Sequence, residues 1–91
     1  MNNNLYELDD VSIERIIRTC SDETIAKLLI SVDVNQQNRL LSLLSQKHKN
    51  AIYIELKNIG WIYKADIETH VDTFWKNASE LEKNGEIIVI G

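Results

Sequence analysis

The constraint that most limits this chain is its punctuation. Among its 91 residues there is no proline and only three glycines, so the breaks between apolar stripes fall on short polar side chains instead. Asp9 or Asp10, Ser21, Asp33 and Ser45 each stand just ahead of a stretch in which apolar residues recur at helical spacing. At such a position the side-chain oxygen accepts a hydrogen bond from an N–H of the first helical turn, which otherwise has no partner. A chain punctuated in this way is set up to run helix after helix, joined by capping residues and not by linkers.

Ile13, Ile16, Ile17 and Cys20 share one stripe, so the first helix is expected to run through Cys20. A second, from about Asp22 to Ser31, carries Ile25, Leu28 and Leu29. Asp33 opens a third, with Gln36 placed as in a capping box and Leu40, Leu41 and Leu44 toward its close. Ser45 caps a fourth helix, and Gly60 stands where a left-handed C-terminal cap would end it. After a short apolar loop, Ile67, Val71, Phe74, Ala78 and Leu81 predict a long fifth helix from about Asp66 to Asn84, stopped at Gly85. Alternation is lost in the run Ile87-Ile88-Val89-Ile90, so the tail from Glu86 is expected to lie extended in a groove of the bundle or on a partner. The expected fold is all-α. It is a compact bundle of five to six short helices in one domain spanning residues 1–91, with a flexible lead at 1–7 and an extended tail at 86–91.

A domain of this size buries somewhat over ~60% of the surface its unfolded chain exposes, enough for one hydrophobic layer. The net charge of -4 argues against nucleic acid as the main partner, because phosphate binding needs a concentrated positive field. Cys20 is the single cysteine, no Cys/His spacing suits zinc, and no glycine-rich phosphate loop is present. The first residues lack the regions of a signal peptide, and no apolar run approaches the ~18 residues of a membrane span. A cytoplasmic protein without metal, cofactor or membrane insertion is therefore expected. His48 reads as a histidine at the core boundary, and His70 has no paired carboxylate at catalytic spacing. With Cys20 read as a small buried hydrophobe, nothing supports an enzyme.

The fourth helix is basic and amphipathic, with one residue out of place. If Ile52, Leu56 and Ile59 face the core, 100° steps put Ile54 on the opposite face beside Lys47, Asn50 and Lys57. Two environments are open to it. It could form an exposed apolar patch with Tyr53, Trp61 and Tyr63, or the turn after Gly60 could fold back and bury it.

Five short motifs in register carry a resemblance. Leu8-Asp9-Asp10-Val11-Ser12-Ile13-Glu14-Arg15 resembles the Leu-Asp-Asp-x-Ser-Ile-x-Arg opening of the C-terminal domain of the flagellar motor switch protein FliG. Leu44-Ser45-Gln46-Lys47 is similar to that family's Met-Ser-x-Arg, Glu55-Leu56 to its acidic-Leu pair, Gly60 to the glycine of its Gly-Pro-Val-Arg, and Gly85-Glu86-Ile87-Ile88-Val89 to its closing Gly-Glu-Ile-Val-Ile. The resemblance spans residues 5–90.

It implies a six-helix unit at the rim of the switch ring, in which the fourth helix is the torque helix. In that family the helix is thought to meet oppositely charged residues on a cytoplasmic loop of the stator protein MotA. By this resemblance Lys47 stands at a position usually arginine, and Glu55 at the second of two adjacent acids; Lys57 is a possible supplement on the same helix. The first acid is replaced by Ile54, a family lysine by Ile30, the arginine after the turn by Tyr63, and the proline by Trp61. Two functions follow as expectations. One is a rotor component that contacts a stator loop through Lys47, Glu55 and Lys57. The other is a divergent adaptor or assembly protein that binds through Tyr53, Ile54, Trp61 and Tyr63. The adaptor reading draws on the expectation that the chain stands alone, without the domains that mount the family's proteins on the membrane ring and join them to the switch protein FliM.

Overall fold

The computed structural model describes residues 4–89. A single 3-10 turn, Leu5–Glu7, leads into α1 (Asp10–Ile17), α2 (Asp22–Ser31), α3 (Val34–Ser42), α4 (Gln46–Asn58) and α5 (Lys64–Lys83). The all-α bundle expected from the sequence is thus the fold. Within the described part of the lead, Leu5 is only 3% exposed and seats the 3-10 turn in the core.

All four predicted caps form, and in the same way. Asp9 accepts from the Ser12 N–H at 2.8 Å, Ser21 from Thr24 at 3.2 Å, Asp33 from Gln36 at 2.9 Å and Ser45 from His48 at 3.1 Å. The first three recipients, Ser12, Thr24 and Gln36, are the buried polar residues among those described. Each can be buried because the cap satisfies the backbone donor that burial would strand.

Helix ends were harder to read. α1 stops at Ile17 and not at Cys20, where Thr19 Oγ1 and Cys20 Sγ both turn back onto the Ile16 carbonyl at 2.6 and 3.3 Å. Side chains that offer the backbone a local partner compete with continuation of the helix. Gly60 does not adopt the left-handed conformation: α4 ends at Ile59 in an extended conformation, φ -68° and ψ 115°. Gly85 does, with φ 75°. There the Glu86 N–H reaches the Leu81 carbonyl at 2.9 Å and the Gly85 N–H reaches that of Glu82 at 3.0 Å, the paired bonds of a Schellman motif. α5 begins two residues early, at Lys64, because the Tyr63 carbonyl accepts from both Asp66 and Ile67.

α2 is the centre of the bundle. It packs against α3, α4 and α5, while α1 packs on α5. Ile25, Ala26 and Leu28 of α2 are at most 1% exposed, and they meet Ile13 and Ile16 of α1, Leu40 of α3, Ile52 of α4 and Phe74 of α5 in one core. Phe74 and Trp75 add an edge-to-face ring pair, centroids 5.2 Å apart at 87°. Two arginines tie in the ends of the chain. Arg39 of α3 donates to the Leu5 and Leu8 carbonyls and to the Asp10 carboxylate, and Arg15 of α1 donates to the Glu86 carbonyl at 2.6 Å. The tail then lies along the bundle as expected: Ile87 is buried, Ile88 is exposed, and Val89 pairs with Leu8 in an antiparallel bridge. Ile90 lies outside the described residues.

Hydrogen bonds from the Ser12 side chain and backbone hold the Asp9 carboxyl below its ordinary value. Because the folded value is depressed, this contribution to stability is complete above the ordinary carboxylate range and is lost as pH falls through the folded value. Asp9→Asn keeps a capping oxygen but cannot titrate. Thermal melts should show the variant close to the parent at neutral pH, with a shallower loss of stability on acidification. A parent-like acid slope would show that the cap is not the titrating element.

Candidate protein-contact site

Of the 13 residues of α4 only Ile52 is fully buried, with Leu56 and the following Ile59 partly so. His48, Lys49, Ala51 and Glu55 are half-buried, and the other residues of the helix are exposed. Ile54 is 60% exposed, so the turn after Gly60 does not cover it and the buried alternative is excluded. Lys47 and Lys57 are exposed and Glu55 is half-buried. None of the three has an ion-pair partner among the described residues. Lys47 and Glu55 lie eight residues apart, about 12 Å along the axis, too far to neutralise each other.

The apolar candidates are all exposed, and two of them line different concavities. Tyr53 lines a shallow groove with Leu29, Ile30, Leu41 and Leu56 on one flank of α4. Trp61 and Ile62 line a separate cleft of about 260 Å³ with Ile30, Ile59 and Glu55, between α2, the end of α4 and the start of α5. Ile54 and Tyr63 line neither. Trp61 is 89% exposed and Tyr63 70%, so the loop after α4 holds its two aromatic rings out to solvent.

The wall of that cleft holds a polar network that sequence reasoning missed. Lys27, its side chain only 11% exposed, bridges Glu23 on its own helix and Asp66 on α5. The Asp66 hydrogen bond raises the Lys27 pKa, and the same bond from Lys27 holds the Asp66 carboxyl below its ordinary value. His70 Nε2 lies 2.9 Å from Glu23 and its Nδ1 lies 2.9 Å from Thr24 Oγ1. A carboxylate can only accept, so Nε2 donates toward Glu23, while Nδ1 and the Thr24 hydroxyl share a second hydrogen bond. That hydroxyl in turn accepts from Ser21, the cap of α2. The helical i,i+4 spacing of Glu23 to Lys27 and of Asp66 to His70 was visible, but the pairing of α2 with α5 that joins them was not.

The network fixes α2 and α5 together. Thr24 is buried, and the Lys27 ammonium occupies the space between the two carboxylates. Among the described residues no group of three or more His, Cys, Asp or Glu could hold a metal ion. His48 ties the first turn of α4 to Asp22 at 3.0 Å, a boundary position as expected. Cys20 is half-buried and burial raises its thiol pKa, which disfavours the reactive thiolate. No helix of the described residues is long and apolar enough to cross a membrane. What the surface offers is an outward helix with unpaired charges, a solitary isoleucine and an aromatic loop.

Comparison with known proteins bears on the same elements. The model of the FliG C-terminal domain family matches residues 2–89. The chain is also similar to the flagellar motor switch protein FliG of Borreliella burgdorferi, with 28% identity over 82 residues. That match covers 90% of this chain and 24% of the relative, so the chain spans about a quarter of the length of the curated protein it resembles.

The two isoleucines of α4 should separate cleanly in a stability measurement. Ile54→Asp, on the exposed face, should change unfolding free energy by no more than about 0.5 kcal/mol. Ile52→Ala should lower it by about 2–5 kcal/mol. Chemical denaturation checks both, and a severe loss for Ile54→Asp would mean that its side chain is covered after all.

Proposed function

Because the chain belongs to the FliG C-terminal domain family, we propose that it serves as a rotor-side contact module of a flagellar motor switch, with α4 as the helix that meets a stator loop. The observation that supports this reading most directly is that Lys47 and Lys57 on the outward face of α4, and half-buried Glu55 on its flank beside the cleft, have no ion-pair partner among the described residues. The proposed partner is a MotA-like cytoplasmic loop carrying charges of both signs. Other switch-complex proteins such as FliM would hold the module at the cytoplasmic face of the flagellar basal body. Its work is contact, not catalysis. Exposed ion pairs are each worth about 0–1 kcal/mol, which suits an interaction that is made and released with every step.

A second reading is favoured by one observation. Ile54 is 60% exposed where the family resemblance implies a carboxylate, and Ile30 and Tyr63 likewise stand where it implies cations. A surface of α2, α4 and the following loop with those charges removed suits an adaptor that grips a partner through apolar contact. Lysine at position 47 keeps a cation but lacks the bidentate fork of arginine, which weakens the torque contact further.

Salt separates the two. Binding of a stator-loop peptide through Lys47 and Glu55 should weaken markedly as ionic strength rises to ~0.15 M, where the Debye length is ~8 Å. Lys47→Glu should reduce that binding by about fivefold, the value of one exposed pair, and should impair swimming in cells that depend on the module. Binding and motility that ignore charge reversal at Lys47 would exclude the torque reading, and salt-insensitive binding lost in Ile54→Asp would establish the adaptor.

A further inference from the structure

Two features of the surface complement each other. The cleft between α2, the end of α4 and the start of α5 has an apolar floor and wall of Ile30, Ile59, Trp61 and Ile62. Its rim is acidic. Glu23 and Asp66 share the Lys27 ammonium, while the Glu55 carboxylate has no ion pair among the described residues. The cleft therefore suits an aliphatic side chain accompanied by a cation. The outward face of α4 presents that combination: Ile54, with Lys57 three residues on and Lys47 two turns back, and no acid among them. Asn50 and Asn58, the other neighbours on that face, are uncharged.

From this match we propose that the domain self-associates, Ile54 and its flanking lysines on one copy seating against the acid-rimmed apolar cleft of a second copy. Ile54 and Glu55 are consecutive, about 100° apart on the same helix, so the ridge and the cleft adjoin. A two-fold axis then lets each copy offer its ridge and fill its cleft at once, the closed arrangement of a symmetric dimer. Burial in that contact accounts for an isoleucine held 60% exposed and for a tryptophan held 89% exposed in the isolated chain. The dimer also covers the α4 face that the proposed function gives to a stator loop. This inference rests on the surface alone and stands or falls apart from that reading; if both hold, self-association and partner binding exclude each other.

Sedimentation equilibrium over a wide concentration range tests it with no other protein present. The parent should form a reversible dimer that weakens with salt. Ile54→Asp sets a carboxylate against the acidic rim, and Glu55→Lys sets a cation against the lysine ridge. Each should weaken dimerisation by at least about tenfold without lowering the melting temperature at concentrations where the parent is monomeric. An equimolar mixture of the two variants is the decisive arm. In the mixed pair the new aspartate faces the new lysine and the second half of the interface is native, so the mixture should associate more tightly than either variant alone. Trp61→Ala, a truncation at a residue that packs against little in the monomer, should weaken association as well. A parent that stays monomeric at the highest concentration, or a mixture that associates no better than its components, would overturn the proposal.

Discussion

Everything in this domain is arranged around the burial of α2. Ile25, Ala26, Leu28 and Leu29 give it a closed surface against which α3, α4 and α5 all pack, which leaves its Glu23, Lys27 and Ile30 edge to line the cleft beside α4 and α5. Its polar groups serve the same end. Ser21 caps its start, Lys27 and the His70–Glu23 pair lock it to α5, and at its other end Gln37 and Ser31 satisfy the Leu29 and Leu28 carbonyls. α4 is bound to this hub chiefly through Ile52, with Leu56 and Ile59 at the margin. The proposed contact surface thereby falls on the helix and loop that the core can best spare.

That division explains how a family surface can change its chemistry while the fold persists. Replacing an exposed carboxylate by Ile54 removes no core contact and strands no buried polar group, so little stability is at stake. The same exchange at Thr24 or Lys27 would break a network that spans two helices. The retained motifs have structural duties: Asp9 and Ser45 are caps, Arg15 holds the tail, and Gly85 turns the chain out of α5. Resemblance in those residues reports the fold. The proposed stator contact rests on the charges of α4, and there the likeness is thinnest.

The parts of the structure legible in the sequence were those set by local chemistry. The four caps at 9, 21, 33 and 45 could be read because a side chain and a backbone donor three residues on decide the matter between them. Gly85 could be read because its two hydrogen bonds are local, whereas Gly60, equally suggestive, sits in a connection whose path is set by the packing of α5. Arg39 and the His70 network could not be read, for each joins elements that only the folded chain brings together. The α4 face lay between these cases. Helical geometry predicted its polar neighbours correctly, but whether the apolar loop would fold over Ile54 depended on the exit of the chain from Ile59, and Trp61 and Tyr63 turn outward instead.

Native-state hydrogen exchange tests the separation of a structural helix from a contact helix most directly. Amides of Ile25 to Leu29 in α2 should exchange only through global unfolding, with protection that tracks the stability measured by denaturant. Those of α4 from Asn50 to Lys57 should open at distinctly lower free energy, since few buried side chains hold them. Protection in α4 equal to that in α2 would contradict the division, because the helix assigned to contact would then be as integral to the fold as the hub itself.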